Sequence, residues 1–292
     1  MRVVITGATS LPGLALLEAL LRSGHDVRCV VRPESPNAGR LAGHDVAILR
    51  ADVLDPGALS RAFAGVEAVA HVAGVEYAPA VVEAVRRAGV ERLLAVSSTS
   101  AHSAYPSRSR PKREGERVVR ESDLAWTIVR PTMVYGTELD RNMHLLLRFL
   151  DRSPVFPVFG DGENLWQPVY HEDLARGMLA ALERDAAVGR TYDLPGRRPL
   201  AYRDLVLAAA RALGRKVHLV HLPLEPARRA LALAERVGLP LPVKSEQVMR
   251  LREDKAYPYE AARRDLGYAP RTFEEGIALE AERLREVGLV RR

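Results

Sequence analysis

Met1-Arg-Val-Val-Ile-Thr-Gly-Ala-Thr-Ser-Leu-Pro-Gly13 is the stretch from which the fold of this chain is read. A short apolar run (Val3, Val4, Ile5) meets a glycine turn, and an apolar pattern of helical period follows at once. A dinucleotide-binding βαβ unit begins in this way. Gly7 permits the tight turn out of the strand, and Gly13 lets the start of the helix pack closely on the sheet. Free N–H groups at the turn, together with the positive end of the helix dipole, would hold a pyrophosphate. Ser10 stands where the related pattern has its middle glycine, placing a side chain where backbone normally approaches phosphate.

The first 135 residues repeat this alternation. Strand signals at 2–6, 26–31, 45–50, 66–72, 92–97 and 126–130 are rich in Val, Ile, Leu or Ala, as buried parallel strands are. Helical patterns at 11–23, 57–64, 78–88 and 111–121 lie between them, and Gly24 and Gly89 stand where helices stop. The expectation is an α/β fold, a doubly wound parallel sheet (Rossmann) with a smaller, mostly helical C-terminal lobe. Residues 1–150 would form the dinucleotide-binding core. Residues 151–292 would be mostly substrate lobe, with part of 165–195 returning to the core. Further helices are expected near 140–150, 171–184, 201–213, 224–237, 244–252, 258–265 and 272–287, and a strand near 190–194. Ser153–Gly162, rich in Pro and Gly, reads as a connecting segment.

A length of 292 residues allows such a core plus a lobe. No apolar run reaches the roughly 18 residues of a membrane span, and charged, glycine-rich sequence directly after Met1 does not read as a signal peptide. Cys29 is the only cysteine, so an internal disulfide is excluded; a cytoplasmic location is expected. The formal charge of +6 comes from 39 Arg and only 4 Lys spread along the chain, clustered only at Arg108–Arg113. Without an aromatic-plus-basic platform this does not read as a nucleic-acid binder. The expected partner is a phosphate-bearing small molecule, bound by a monomer or homodimer.

Three further strand ends supply candidate cofactor contacts. The second strand ends at Arg32, where an acidic residue would take an adenosine 2′-hydroxyl and an arginine a 2′-phosphate, favouring NADP(H) over NAD(H). Asp52-Val53 ends the third strand, placed either to face the adenine or simply to start a turn. Ala70-His-Val-Ala-Gly74 closes the fourth with small residues that let backbone lie against a dinucleotide, through Ala73 in particular. His71 reads as a hydrogen-bonded core histidine.

The glycine turn, Arg32, Asp52-Val53, Val96-Ser-Ser-Thr99 and Arg130-Pro-Thr-Met-Val-Tyr-Gly136 together resemble the extended or atypical short-chain dehydrogenase/reductases, the epimerase/dehydratase superfamily. Gln167-Pro-Val-Tyr-His-Glu-Asp173 and Arg264-Asp-Leu-Gly-Tyr-Ala-Pro270 extend the resemblance over nearly the whole chain. Lys112-Arg-Glu-Gly-Glu-Arg-Val-Val-Arg120 is similar to bacterial relatives of the complex I nucleotide-binding accessory subunit. The resemblance implies cofactor contacts at Thr6, Gly7, Thr9, Ser10, Leu11, Gly13, Arg32, Asp52, Val53, Ala73, Lys112 and Pro131.

In catalytic members of that family a Tyr-x-x-x-Lys pair works beside a Ser or Thr that orients the substrate oxygen. Lys112 fits the lysine and Thr99 the hydroxyl, but Arg108 stands at the tyrosine position. Tyr105 is the nearest substitute; Pro106 and Pro111 argue against one continuous helix carrying both it and Lys112. Tyr135 is a second hydroxyl, or a packing residue beside Gly136. His171-Glu-Asp173 has no partner cluster for a metal and reads as a helix start. Two functions follow: an NADP(H)-dependent oxidoreductase or nucleotide-sugar epimerase/dehydratase-like enzyme, or a non-catalytic NAD(P)(H)-binding redox sensor or scaffold.

Overall fold

A computed structural model of the chain describes residues 1–223 and 253–291, together with Pro226. In chain order the principal elements are β1 (Arg2–Thr6), α1 (Leu11–Arg22), β2 (Asp26–Val31), β3 (Ala47–Arg50), α2 (Pro56–Phe63), β4 (Ala68–His71), α3 (Ala78–Arg87), β5 (Arg92–Val96), α4 (Pro106–Arg120) and β6 (Ala125–Pro131). There follow α5 (Met143–Leu150), β7 (Val155–Phe159), α6 (His171–Glu183), β8 (Arg190–Leu194), α7 (Tyr202–Ala212), β9 (His218–Leu222), α8 (Glu260–Leu266) and α9 (Phe273–Glu286). The expected helices at 224–237 and 244–252 lie outside the described residues.

Two compact units divide the chain, the first made of Met1–Val134, Val169–Pro195 and Pro258–Pro270. Its seven strands run in the order β8-β6-β5-β4-β1-β2-β3, every neighbour parallel. The chain therefore winds outward from β1 through β2 and β3, then returns to the other side of β1 with β4. That reversal opens a crevice at the C-terminal ends of β1 and β4, where open α/β sheets bind ligands.

Strand periodicity sorts the core onto two faces. Val3, Ile5, Ala70 and Leu94 join Leu16, Leu20, Leu174, Met178 and Tyr268 on one side. Val4, Val69 and Leu93 join Leu59, Phe63, Val81, Val85 and Ile128 on the other. Cys29 is fully buried, and burial pushes its thiol up to about 12, so it stays neutral.

One expectation fails here. α4 is a single helix from Pro106 to Arg120 with Pro111 inside it. Pro106 occupies the first turn, where a missing N–H costs nothing, and Pro111 removes only one further donor. The later turns hold the helix in place. Gly115 lies so close to the backbone of Val75 that a Cβ there would sit 2.0 Å from its carbonyl oxygen. The next residue, fully buried Glu116, is gripped by Arg130 and Arg120.

The second unit comprises Tyr135–Pro168, Gly196–Tyr257 and Arg271–Arg292. The stretch read as a Pro/Gly connector holds β7, which pairs in parallel with β9, an edge pairing that tolerates Pro157. α9 starts with a capping box between Thr272 and Glu275. It also carries Glu280, fully buried, with neither carboxyl oxygen hydrogen-bonded within ordinary distance among the described residues. Burial first, then neighbouring Asp140, pushes this carboxyl up to about 11.

Two outcomes are expected. Gly115→Ala should destabilise the protein by about 1–3 kcal/mol in denaturant unfolding, as overpacking does, whereas Gly39→Ala, with nothing near its Cβ position, should be close to neutral. Glu280 binds a proton in the folded state up to about pH 11, while the unfolded chain loses it near the ordinary value of about 4.3. The contribution of Glu280 to stability is thus fullest at low pH and falls across that window, by up to about 1.4 kcal/mol per pH unit. Glu280→Gln should remove this slope and raise Tm relative to wild type more at pH 8 than at pH 5; equal differences at both pH values would refute the assignment.

Candidate functional site

Gly7, with φ +75°, turns the chain out of β1. A Cβ at this position would lie 2.6 Å from the Ala73 nitrogen, and one at Gly13 would lie 2.2 Å from the Gly7 carbonyl oxygen. Gly13 therefore packs the helix start against the turn itself. Ser10 is the N-cap of α1 and fixes this geometry. Its hydroxyl donates to the Gly7 carbonyl at 2.8 Å and accepts from the Gly13 N–H at 3.2 Å. The side chain in place of a glycine thus closes the turn from within.

Three backbone donors remain. Ser10 N–H bonds to the Gly7 carbonyl and Leu14 N–H to Ser10, and Pro12 has no N–H. Among the described residues, no bond is made by the N–H groups of Ala8, Thr9 and Leu11. They surround a turn too tight for any Cβ at Gly7 or Gly13, at the positive end of α1. This is a cradle that fits a pyrophosphate.

Thr6 and His71 lie beneath the cradle. Thr6 Oγ1 donates to His71 Nδ1 at 2.7 Å, and His71 Nε2–H donates to the Gly74 carbonyl at 2.7 Å. The carbonyl can only accept, which places the ring proton on Nε2. Burial, opposed by the Gly74 bond and the Glu76 charge, pushes His71 down to about 4, so it is neutral in ordinary buffers. The hydroxyl of Thr6, a residue expected among the cofactor contacts, orients this ring.

The strand ends expected to meet an adenosine are arginine-rich. Arg32 is exposed, and its guanidinium has no partner among the described residues. Arg50 donates to the carbonyls of Arg32 and Pro33 at 3.3 and 3.2 Å, bracing the strand end. Arg40 donates to the Thr9 carbonyl at 2.9 Å, which brings a third guanidinium to the edge of the glycine turn. Asp52 closes a turn by accepting from Leu54 N–H at 2.9 Å, and its other oxygen has no hydrogen bond among the described residues. Val53 beside it is half-buried.

At the other end of the crevice, Thr99 begins a short 3₁₀ segment to His102 and is buried. Its hydroxyl donates to the Pro131 carbonyl at 3.4 Å, a long and easily exchanged bond. Lys112 Nζ is 2.5 Å from Glu76 Oε2. Arg108, at the tyrosine position, is exposed, and Tyr105 is the residue capping α4. Tyr135 is a packing residue of the second unit, its ring 5.4 Å from that of Phe273.

Several charged residues here had no assigned role. Glu116 accepts from Ser97 Oγ at 2.6 Å and from Arg130 at 2.7 and 2.5 Å. Burial pushes the Glu116 carboxyl up, but those bonds outweigh it and hold it below its usual range. Arg130 Nη1 lies 3.7 Å from Asp193 Oδ1, and His102 Nε2 lies 3.1 Å from the same oxygen. The signal in the sequence was a charged residue near the C-terminal end of a mostly apolar strand at Arg130; Asp193, in the polar strand Arg190–Leu194, offered none. Among the described residues no group of His, Cys, Asp and Glu could hold a metal ion, and no helix is long and apolar enough to cross a membrane.

Residues 7–184 match a protein family described as NAD(P)H-binding. A ceramide reductase of Caulobacter vibrioides is 31% identical over 76% of this chain and 73% of its own length. A 2-alkyl-3-oxoalkanoate reductase of Stenotrophomonas maltophilia is 27% identical over 95% and 97%. The mitochondrial NADH dehydrogenase [ubiquinone] 1 alpha subcomplex subunit 9 of Arabidopsis thaliana is 28% identical over 85% and 67%. In fold, a nucleoside-diphosphate-sugar epimerase from Pseudomonas aeruginosa superposes with a TM-score of 0.80 over 99% of each chain, at 23% identity. The cradle at Gly7 and Gly13 lies at the start of the matched region, and this chain belongs to the NAD(P)H-binding family.

Proposed function

We propose that this protein is an NADP(H)-dependent oxidoreductase that reduces a carbonyl carbon or oxidises the corresponding alcohol. One observation carries the reading: a cradle fit for a pyrophosphate, with three N–H groups that bond to nothing among the described residues, flanked at the end of β2 by the guanidinium of Arg32, which has no partner among them either. A planar, permanently charged fork suits a 2′-phosphate and has no purpose opposite a bare 2′-hydroxyl. The reductase names of relatives at 31% and 27% identity support the same chemistry.

The bound nicotinamide would supply a hydride equivalent. Ala8, Thr9 and Leu11 would hold the pyrophosphate, Arg32 the 2′-phosphate, Lys112 the ribose near the reactive end, and Ala73 and Pro131 would line the dinucleotide. Thr99 would release the Pro131 carbonyl to orient a substrate oxygen. Tyr105 and His102, from the loop after β5, are the candidate proton carriers; His102 is held in place by Asp193. A non-catalytic sensor or scaffold is the second reading. The observation favouring it is Arg108, exposed where the family places its tyrosine.

Purified protein should bind NADPH at least about tenfold more tightly than NADH, and Arg32→Asp should abolish or reverse that preference, as loss of a charge-assisted phosphate contact requires. Equal affinities before and after the change would sink the Arg32 assignment. Turnover is checked with NADPH deuterated at the transferable position, offered a panel of 3-oxoacyl and nucleotide-sugar carbonyl compounds. Label should appear on the product carbon, and Thr99→Ala should slow its transfer by about 10²-fold or more, the lower range for a lost positioning or acid–base group. Tight cofactor binding with no label transfer over the whole panel would instead support the sensor or scaffold.

A further inference from the structure

The 3₁₀ turn Val75–Tyr77 follows directly on Gly74, at the end of β4. Ala73, three residues before Glu76, is the residue whose backbone abuts Gly7. Glu76 is therefore within a few residues of the pyrophosphate cradle, on the side away from Arg32. We propose that Glu76 is a cofactor-binding residue, its carboxylate and the Lys112 ammonium forming a paired acceptor and donor for the vicinal hydroxyls of the ribose at the reactive end of the dinucleotide. The assignment rests on the dinucleotide site proposed above.

Three features make the pair a prepared site. First, both ends are fixed to rigid backbone. Gly115 brings α4 against the Val75 carbonyl with no room for a Cβ, so Lys112, three residues earlier on that helix, meets the turn at a set distance. Gly74, with φ +125°, leaves the space in which the Glu76 carboxylate lies; a Cβ there would fall 2.8 Å from one of its oxygens.

Second, the pair has capacity left over. An ammonium carries three donors and a carboxylate about four acceptor sites, and the bond between them uses one of each. The side chains remain 21% and 35% exposed, so a ligand can reach them. A vicinal diol offers one hydroxyl to donate and one to accept, which matches what the pair leaves open.

Third, the charges are stable. Burial pushes the Glu76 carboxyl up, but the Lys112 bond and charge outweigh it and leave it below its usual range. His71, facing Glu76 from below, is neutral. The pair as a whole carries no net charge, so it recognises a neutral sugar edge. A partly exposed ion pair of this kind adds little to folding stability, which leaves binding as the property its removal should change.

The test compares two probes on wild type, Glu76→Ala and Glu76→Gln. NADPH spans the whole site; adenosine 2′,5′-bisphosphate stops short of the second ribose. Glu76→Ala should weaken NADPH by about tenfold or more, the scale of a hydrogen bond to a charged group, while the bisphosphate stays within twofold. Glu76→Gln, which keeps one acceptor oxygen, should fall between. NADPH binding that is unchanged or tighter in Glu76→Ala overturns the assignment, as does an equal loss for both probes. Wild-type protein that binds neither probe overturns the dinucleotide site itself, and the role of Glu76 with it.

Discussion

The contact between the Gly7 turn and the end of β4 is the constraint on which the first unit depends. With 2.6 Å between a Cβ at Gly7 and the Ala73 nitrogen, no side chain fits between the two strands. Gly13 presses the helix start onto the same turn, and Ser10 ties the two with both faces of its hydroxyl. The result is a backbone surface at the switch point of the sheet, where the N–H groups of Ala8, Thr9 and Leu11 make no hydrogen bond among the described residues. Positive helix-end potential and unengaged donors coincide there.

Charge is organised around that surface by distance from it. Beneath it, Thr6 and His71 are neutral and buried, and they stiffen the floor without adding a field. Beyond the end of β2, Arg32, Arg40 of the following loop and Arg50 of β3 gather, two of them braced on backbone carbonyls. At the opposite end, the charges are paired: Lys112 with Glu76, and Arg130 with Glu116 and Asp193. A buried pair such as Glu116–Arg130 contributes more to placing elements than to net stability. Together the two pairs on α4 tie it to the turn after β4 and to the end of β6, so the residues that α4 presents are held at fixed distances.

Much of the first unit was legible along the chain. β1, β2 and β8 fall on the expected bounds, and the others within a few residues, because buried parallel strands produce short apolar runs that glycine and proline delimit. α4 was misjudged, since a local rule about Pro111 was set against contacts of Gly115 and Glu116 that only the folded chain makes. β7 was hidden for a related reason: Pro157 and the flanking glycines signal a turn, while the partner strand β9 lies some sixty residues away. Glu280 gave no signal at all, because a carboxyl in a helical pattern reads as solvated until a second element covers it.

The amino-acid sequence by itself determined the alternation, the glycine turn, Arg32 at a strand end and the absence of tyrosine four residues before Lys112. These are properties of local pattern and spacing, and each is readable without knowing what lies opposite. Only the tertiary structure decided that the Ser10 hydroxyl closes the turn, that Thr6 serves His71, that Asp52 caps a turn and that Lys112 meets Glu76. Every one of those pairings except the two turns joins residues distant along the chain, and their partners are selected by how the strands stack and how closely α4 approaches the turn after β4. Hydrogen-bond partners follow from three-dimensional proximity, which sequence spacing specifies only inside a single element.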